Sequence, residues 1–208
     1  MERIENAQLP ELFSAISQIM TENSDHLCEM DAFMGDGDLG LTMKKGFAAL
    51  PDILRELDEP DLGKRLMKAG MKMTSVVPST MGTLMGSGIM AGGKKLAGRE
   101  AIDAEGLGLF LSGYAEGIVK RGKCAEGDRT VLDAIAPAAR AAQAHSGATL
   151  REAAQAALKA AEDGVEATKD MLPKFGKAAV HSAKAKGVPD QGATAGMLVV
   201  KGICQYIG

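Results

Sequence analysis

Apolar residues recur along most of the chain at the three- and four-residue spacing that places them on one face of an α-helix. The spacing is clear at Leu12, Ile16 and Ile19. Alanine, leucine, methionine, glutamate and lysine, which favour helices, fill most of the positions around the apolar ones. The predicted helices are 9–24, 42–50 with a continuation beyond residue 51, 61–74, 80–96, 104–120, 128–145, 149–171, 174–186 and 193–206.

Strand signals are weak, because runs of β-branched and aromatic residues are short. The segment most open to a strand interpretation is MLVVKGICQYI near the end of the chain, which fits a buried terminal helix equally well. Linkers are short, and neither a change of composition nor a repeat of fixed period marks a boundary. The sequence therefore predicts one all-α domain over residues 1–208, with eight or nine helices and no strand.

The chain has 208 residues, of which 46% are hydrophobic and 25% charged, as in an average globular domain. A net charge of −3, 3% aromatic residues and no tryptophan argue against a nucleic-acid partner. No apolar run reaches the length of a membrane span, and the N-terminus has no apolar signal core. Three scattered cysteines and three isolated histidines form no zinc-binding pattern. We therefore expect a cytoplasmic protein without a nucleic-acid or membrane partner.

The chemically informative segment is MDAFMGDGDLG, which carries Asp31, Asp36 and Asp38. Three carboxylates this close in sequence repel one another unless a cation lies among them. The glycines beside the last two permit a tight turn, and Asp31 can join them from the end of a preceding helix. Oxygen ligands without histidine or cysteine select a hard cation, and magnesium is commonly shared with phosphate oxygens. The segment therefore predicts a magnesium ion that is shared with a nucleotide.

The same segment partly matches two other motifs. Gly35, Gly37 and Gly40 match GxGxxG, but the dinucleotide motif needs a preceding strand, and the interleaved aspartates would repel a pyrophosphate. A calcium-binding EF-hand loop needs glutamate at its twelfth position, where this chain has Phe47 or Thr42, depending on the start. Both motifs are rejected, whereas a solvated acidic turn that caps the next helix remains an alternative.

Further segments have the character of helix starts that can bind phosphate. Ser79, Thr80 and Met81 precede a glycine and a predicted helix, where free N–H groups and the helix dipole favour an anion. Simple helix capping is the alternative there, and also for Asp128 in GDRTVLD. The segment DQG at residues 190–192 precedes the last predicted helix and can supply another loop to a shared site.

Four segments of the sequence carry a resemblance to a known family. In chain order they are MDAFMGDGDLG, PSTMGTLMG, RGKCAEGDRTVLDA and GKAAVHSAKAKGVPDQGAT. Together they resemble the nucleotide-binding L subunit of dihydroxyacetone (glycerone) kinases, and the first and last blocks are the specific ones. The resemblance implies an eight-helix antiparallel barrel that holds ADP or ATP at one end through two Mg²⁺ ions. It leaves open a paralogue that serves another small ketose or polyol.

The resemblance also implies roles for individual residues. Asp31, Asp36 and Asp38 match the metal ligands, and no catalytic residue is implied for this chain. The implied nucleotide contacts are Leu39, Gly40, Leu41, Thr42, Ser79, Thr80, Met81, Gly122, Val131, Lys177, Asp190, Gln191 and Gly192.

Several positions depart from the family pattern. Leu39 stands where the family usually has histidine, and Gln191 stands where it usually has proline. Lys177 replaces an arginine and so loses the bidentate geometry of a guanidinium. The second block reads STMG instead of Gly-x-Ser-Gly.

The implied activity is a phosphotransferase that needs a partner. A separate K subunit would hold the keto-sugar through a histidine, and this chain would position the phosphoryl group in line with it. Either ATP exchanges, or a phosphotransferase-system donor subunit rephosphorylates bound ADP. The alternative is a non-catalytic nucleotide-binding adaptor of a transcription regulator.

Overall fold

The computed structural model describes residues 1–176, 179 and 185–208, and helices dominate the described part. The α-helices are α1 Leu9–Glu22, α2 Ser24–Met34, α3 Leu39–Glu56, α4 Leu62–Val76, α5 Thr80–Lys95, α6 Ala104–Gly122, α7 Leu132–Ala144, α8 Leu150–Ala167 and α9 Gln191–Ile207. Short 3₁₀ turns cover Asn6–Gln8 and Thr168–Asp170. The predicted all-α class is confirmed, and the terminal apolar segment is helical.

Eight of these helices close a ring. Contacts run from α1 to α3, then in order through α4, α5, α6, α7 and α8 to α9, which returns to α1. The remaining helix, α2, packs mainly on α3. This ring agrees with the eight-helix antiparallel barrel that the resemblance implied. No helix in the described ranges combines the length and the apolar character needed to cross a membrane.

Several details of the predicted elements are wrong. The predicted helix 9–24 is interrupted at Asn23, whose side-chain amide donates to the carbonyl of Ile19, and α2 begins at Ser24. Such local side-chain bonds compete with the helical backbone pattern. A short antiparallel pair also exists, in which β1 Ile4–Glu5 lies beside β2 Ala101–Ile102. Two residues per strand are too few to produce an alternating pattern in the sequence.

The helix starts vary in how they are capped. Thr149 and Glu152 form the expected capping box at α8. The predicted helix 128–145 begins only at Leu132, so Asp128 does not cap it. Asp128 instead accepts from the backbone N–H of Ala125 and pairs with Lys174 at 2.6 Å. The predicted helix 174–186 falls largely on residues outside the described part of the chain.

Candidate functional site

Asp31 organises the turn between α2 and α3. Its Oδ2 accepts hydrogen bonds from the backbone N–H groups of Gly37 at 2.9 Å, Asp38 at 3.1 Å and Leu39 at 3.3 Å. The Asp31 residue is only 8% exposed, and such a buried carboxylate is costly unless donors surround it. Gly37 has φ +76, so the chain reverses at a residue that tolerates the left-handed region.

The turn brings the three aspartates together. Asp31, Asp36 and Asp38 each offer a carboxylate oxygen, and these atoms all lie within 4.8 Å of one another. Within the described ranges no other group of three metal-binding side chains is found. The backbone donors described for Asp31 all reach Oδ2, which leaves Oδ1 for a cation. An all-oxygen set of three carboxylates fits a hard divalent cation such as Mg²⁺.

The carboxylate cluster forms one side of a cavity of about 340 Å³. The beginnings of α3, α5 and α9 and the segment just before α7 form much of the rest of its wall. The first N–H groups of a helix lack partners within the helix and carry partial positive charge, so they favour anions. The cavity therefore combines a candidate cation site with several helix starts that favour anions, a combination that suits a phosphate chain carrying a metal.

Most of the residues assigned from the sequence lie on this cavity. They are Asp31, Asp36, Asp38, Leu39, Thr42, Thr80, Met81, Val131, Asp190, Gln191 and Gly192. Residues from opposite ends of the chain are thus brought to one place, even though each group was identified only as a separate segment of the sequence.

Four other assigned residues are not part of the described lining of the cavity. Gly40 faces α2, Leu41 is 61% exposed, and Ser79 caps α5 by accepting from the N–H of Gly82 at 3.0 Å. Gly122 ends α6. Lys177 lies outside the described residues.

Arg129, Thr130 and Phe175 also line the cavity and were not assigned from the sequence. Arg129 is 3% exposed and has φ +60, which is uncommon for a residue with a side chain. Its Nη2 donates to the carbonyl of Val188 at 2.9 Å, whereas Nε and Nη1 are buried and have no hydrogen-bond partner among the described residues. Burial lowers the pKa of this guanidinium, and the negative charge of Asp190 opposes the shift.

Asp190 is a buried carboxylate at the start of α9. It caps the helix by accepting from the N–H of Ala193 at 2.8 Å, and its own N–H donates to the hydroxyl of Thr168. Burial raises the pKa of Asp190 to about 6, and the bond from Ala193 and the charge of Arg129 act against that rise. The ionised form is therefore disfavoured in the folded state.

The substitution Asp190→Asn is expected to increase stability at neutral pH. The pKa of Asp190 is about 6 in the folded chain against an ordinary value of 3.8, so folding takes up a proton between these values and stability falls as pH rises. Asparagine caps the helix equally well but does not ionise. Urea unfolding should show a free-energy gain that is near zero below pH 4 and reaches about 3 kcal/mol at pH 7. A gain that is the same at both pH values would show that ionisation of Asp190 is not its source.

The chain matches a family model described as DAK2 domain over residues 33–205. The ADP-binding subunit DhaL of PEP-dependent dihydroxyacetone kinase 1 from Listeria innocua is 33% identical over 184 residues, covering 88% of this chain and 88% of that subunit. The corresponding Escherichia coli K12 subunit is 27% identical over 200 residues, with 95% of each chain covered.

A solved structure is similar over nearly the whole chain. The dihydroxyacetone kinase from C. freundii, in complex with AMP-PNP and Mg²⁺, superimposes with a TM-score of 0.70 at 27% identity. The likeness covers 99% of this chain but 35% of that kinase, so this chain spans about a third of the kinase's length.

Proposed function

The chain belongs to the DAK2 domain family, and on that premise we propose that it is the ADP- or ATP-binding subunit of a dihydroxyacetone-type kinase. The observation that carries the proposal is the convergence of Asp31, Asp36 and Asp38 within 4.8 Å at a cavity that several helix starts surround. The relatives named above as ADP-binding kinase subunits, which this chain covers almost completely, support the same assignment.

The three aspartates would hold two Mg²⁺ ions at the phosphate end of the nucleotide. Bound magnesium supplies neutralisation of the charge on the transferring phosphoryl group. Asp31 is held by its three backbone hydrogen bonds, so this ligand is in place before any cation arrives. The backbone at 39–42 and at 79–81 binds phosphate oxygens through N–H groups at the starts of α3 and α5, except the N–H of Leu39, which is bonded to Asp31.

The remaining assigned residues complete the nucleotide site in this proposal. Val131 and Gly122 contact the adenosine part, and the segment 190–192 closes the site at the start of α9. Lys177 adds a basic contact. The chain contributes positioning and electrostatics, without a covalent nucleophile of its own.

A partner subunit of the K type supplies the acceptor, a small keto-sugar such as dihydroxyacetone. The relatives are themselves named as subunits of larger kinases, which supports a partner of this kind. The phosphoryl group comes either from exchanging ATP or from a phosphotransferase-system donor that rephosphorylates ADP in place. A transcription regulator is a further proposed partner.

Mg²⁺ and ADP together are expected to stabilise the chain. A ligand at 100 times its dissociation constant adds about 2.7 kcal/mol, which raises the melting temperature of a chain this size by about 5–10 °C. The measurement is a thermal unfolding scan with ADP plus Mg²⁺ and with ADP plus EDTA, after any copurified nucleotide has been removed. No Mg²⁺-dependent rise would contradict the proposal.

Phosphoryl transfer separates the kinase from the adaptor alternative. With a K-type subunit and dihydroxyacetone added, the kinase subunit yields dihydroxyacetone phosphate at the expense of the donor. Nucleotide binding without any transfer, whichever K-type subunit is supplied, would favour the adaptor.

A further inference from the structure

Arg129 is a buried cation that its own surroundings leave incompletely paired. It lines the cavity while being only 3% exposed, and within the described part of the chain Nε and Nη1 have no hydrogen-bond partner. Its φ of +60 places the backbone in a region that a residue with a side chain enters at a cost. A buried donor without a partner is costly as well. Both costs fall on a residue in the cavity wall, where a ligand that accepts hydrogen bonds can offset the cost of the unpaired donors.

The acidic residues near Arg129 already have other partners. Asp128 pairs with Lys174 at 2.6 Å, and Asp133 accepts from the backbone N–H groups of Gly127 and Thr130. Asp190 caps α9, and among the ion pairs of the described residues none joins it to the guanidinium. Among the described residues no carboxylate therefore bonds the unused donors of Arg129, although the charge of Asp190 acts on the guanidinium.

The charges around the cavity indicate what Arg129 can bind. Among the described lining residues it is the only lysine or arginine, whereas Asp31, Asp36 and Asp38 carry negative charge in the same wall. A ligand that complements both must bring cations to the aspartates and oxygen acceptors to the guanidinium. A phosphate chain with bound Mg²⁺ has both features, and a guanidinium binds phosphate well.

We propose that Arg129 is a phosphate-binding residue of this site and makes a cationic contact to the phosphate chain of the nucleotide, in addition to that proposed for Lys177. The inference rests on the proposed function. The unused N–H groups lie in the cavity wall. They reach a phosphate oxygen when the guanidinium turns toward the cavity. Its one described hydrogen bond, to Val188, is what this turn gives up. Arg129 thereby links the segment before α9 to occupancy of the site.

A purely structural role for Arg129 leads to a different expectation. If the side chain only ties Val188 to the start of α7, its loss disturbs the cavity as a whole. The affinities for adenosine and for ADP would then fall by the same factor. Adenosine, which lacks phosphate, is therefore the probe that separates a phosphate contact from a support of the cavity.

The experiment compares wild type with Arg129→Met and Arg129→Lys at pH 8. This pH lies well above the pKa of Asp190, which is about 6 and which the charge of Arg129 lowers, so it leaves room for the rise expected when Arg129 is lost. Calorimetry gives the affinity for Mg·ADP, and an NMR titration gives the weaker affinity for adenosine. Arg129→Met is expected to lower the affinity for Mg·ADP about 10- to 100-fold, the loss typical of a charged hydrogen bond, with the affinity for adenosine unchanged. Arg129→Lys keeps the charge but lacks the planar guanidinium. Its affinity for Mg·ADP is expected to fall about tenfold, with the affinity for adenosine unchanged.

Arg65 offers a matched control. Its guanidinium also ties separate segments together, through the carbonyls of Leu54 and Asn6, but it lies outside the described lining of the cavity. Arg65→Met should lower the melting temperature without changing the ratio of the two affinities.

The outcomes separate the two proposals. Equal losses for Mg·ADP and adenosine, or an unchanged affinity for Mg·ADP, overturn the role of Arg129 and leave the proposed function standing. A wild-type chain that binds no Mg·ADP overturns both. Where Arg129→Met does not fold, Arg129→Lys decides through the ratio of its affinities for Mg·ADP and adenosine. A ratio equal to that of wild type counts against the inference.

Discussion

Asp31→Asn is expected to lower the affinity for Mg·ADP by at least about 1000-fold, or about 4 kcal/mol, while the unliganded fold is kept. Asparagine has the shape of aspartate, so its carbonyl oxygen can still accept the N–H groups of Gly37 and Asp38 that now bond Oδ2. Its other atom is then an NH₂ group, which donates and cannot ligate a cation. The side chain that anchors the ligand set thus loses its metal-binding oxygen.

Stability of the unliganded chain should change little in the same variant. The hydrogen bonds to a neutral acceptor are weaker, but repulsion from Asp36 and Asp38 is relieved, so we expect a net change below about 1 kcal/mol. Calorimetric titration with and without Mg²⁺ measures the binding, and urea unfolding measures the fold. Asp25→Asn makes the same change of charge at an exposed position of α2 and should bind as wild type. An Asp31→Asn chain that binds Mg·ADP within tenfold of wild type would show that Asp31 is not a ligand.

Much of the fold follows from local patterns in the sequence. Most helices repeat their apolar positions over three or more turns, so the pattern identifies each of them without knowledge of its neighbours. The break at Asn23 was missed because it depends on one side-chain bond to Ile19, which leaves the apolar spacing intact. The pairing of Ile4 with Ile102 joins residues far apart in the chain, and no local pattern carries it.

The candidate site likewise has a local part that the sequence predicts and a part that depends on contacts between distant residues. Asp31, Asp36 and Asp38 lie within eight residues, so their clustering is a local property that the glycines between them make visible. Arg129 contacts Val188 across 59 positions, and its burial depends on how α7 and α9 approach each other. From the sequence it is one more arginine at a helix start.

Leu39 shows how a departure from the family pattern can be accommodated. Its side chain is 4% exposed and belongs to the hydrophobic core, while its backbone N–H bonds Asp31. The residue thus serves the acidic turn through its backbone, which leucine supplies as well as the usual histidine. The replacement does not remove any hydrogen bond that holds Asp31 in place.

Gly40→Ala is expected to destabilise the chain by about 4 kcal/mol or more and to abolish Mg·ADP binding. A Cβ at Gly40 would overlap the carbonyl oxygen of Ser24 and lie 2.7 Å from its carbonyl carbon and 2.9 Å from Cys28 Sγ. The Ser24 atoms belong to the backbone of α2, so no change of rotamer relieves the contact. The two helices must separate instead, and Asp31 then moves away from the N–H groups at the start of α3.

The same reasoning predicts which changes rescue the variant and which do not. Adding Cys28→Ala removes the thiol contact but leaves the backbone overlap, so the double variant should remain as unstable as Gly40→Ala. Gly147→Ala is the control, because a Cβ there meets nothing within 4 Å, and its stability should stay within about 0.5 kcal/mol of wild type. Urea unfolding and titration with Mg·ADP give both quantities. If Cys28→Ala instead restores the stability of the Gly40→Ala chain, the limiting contact is with the thiol. The position of Asp31 then does not depend on the spacing between α2 and α3.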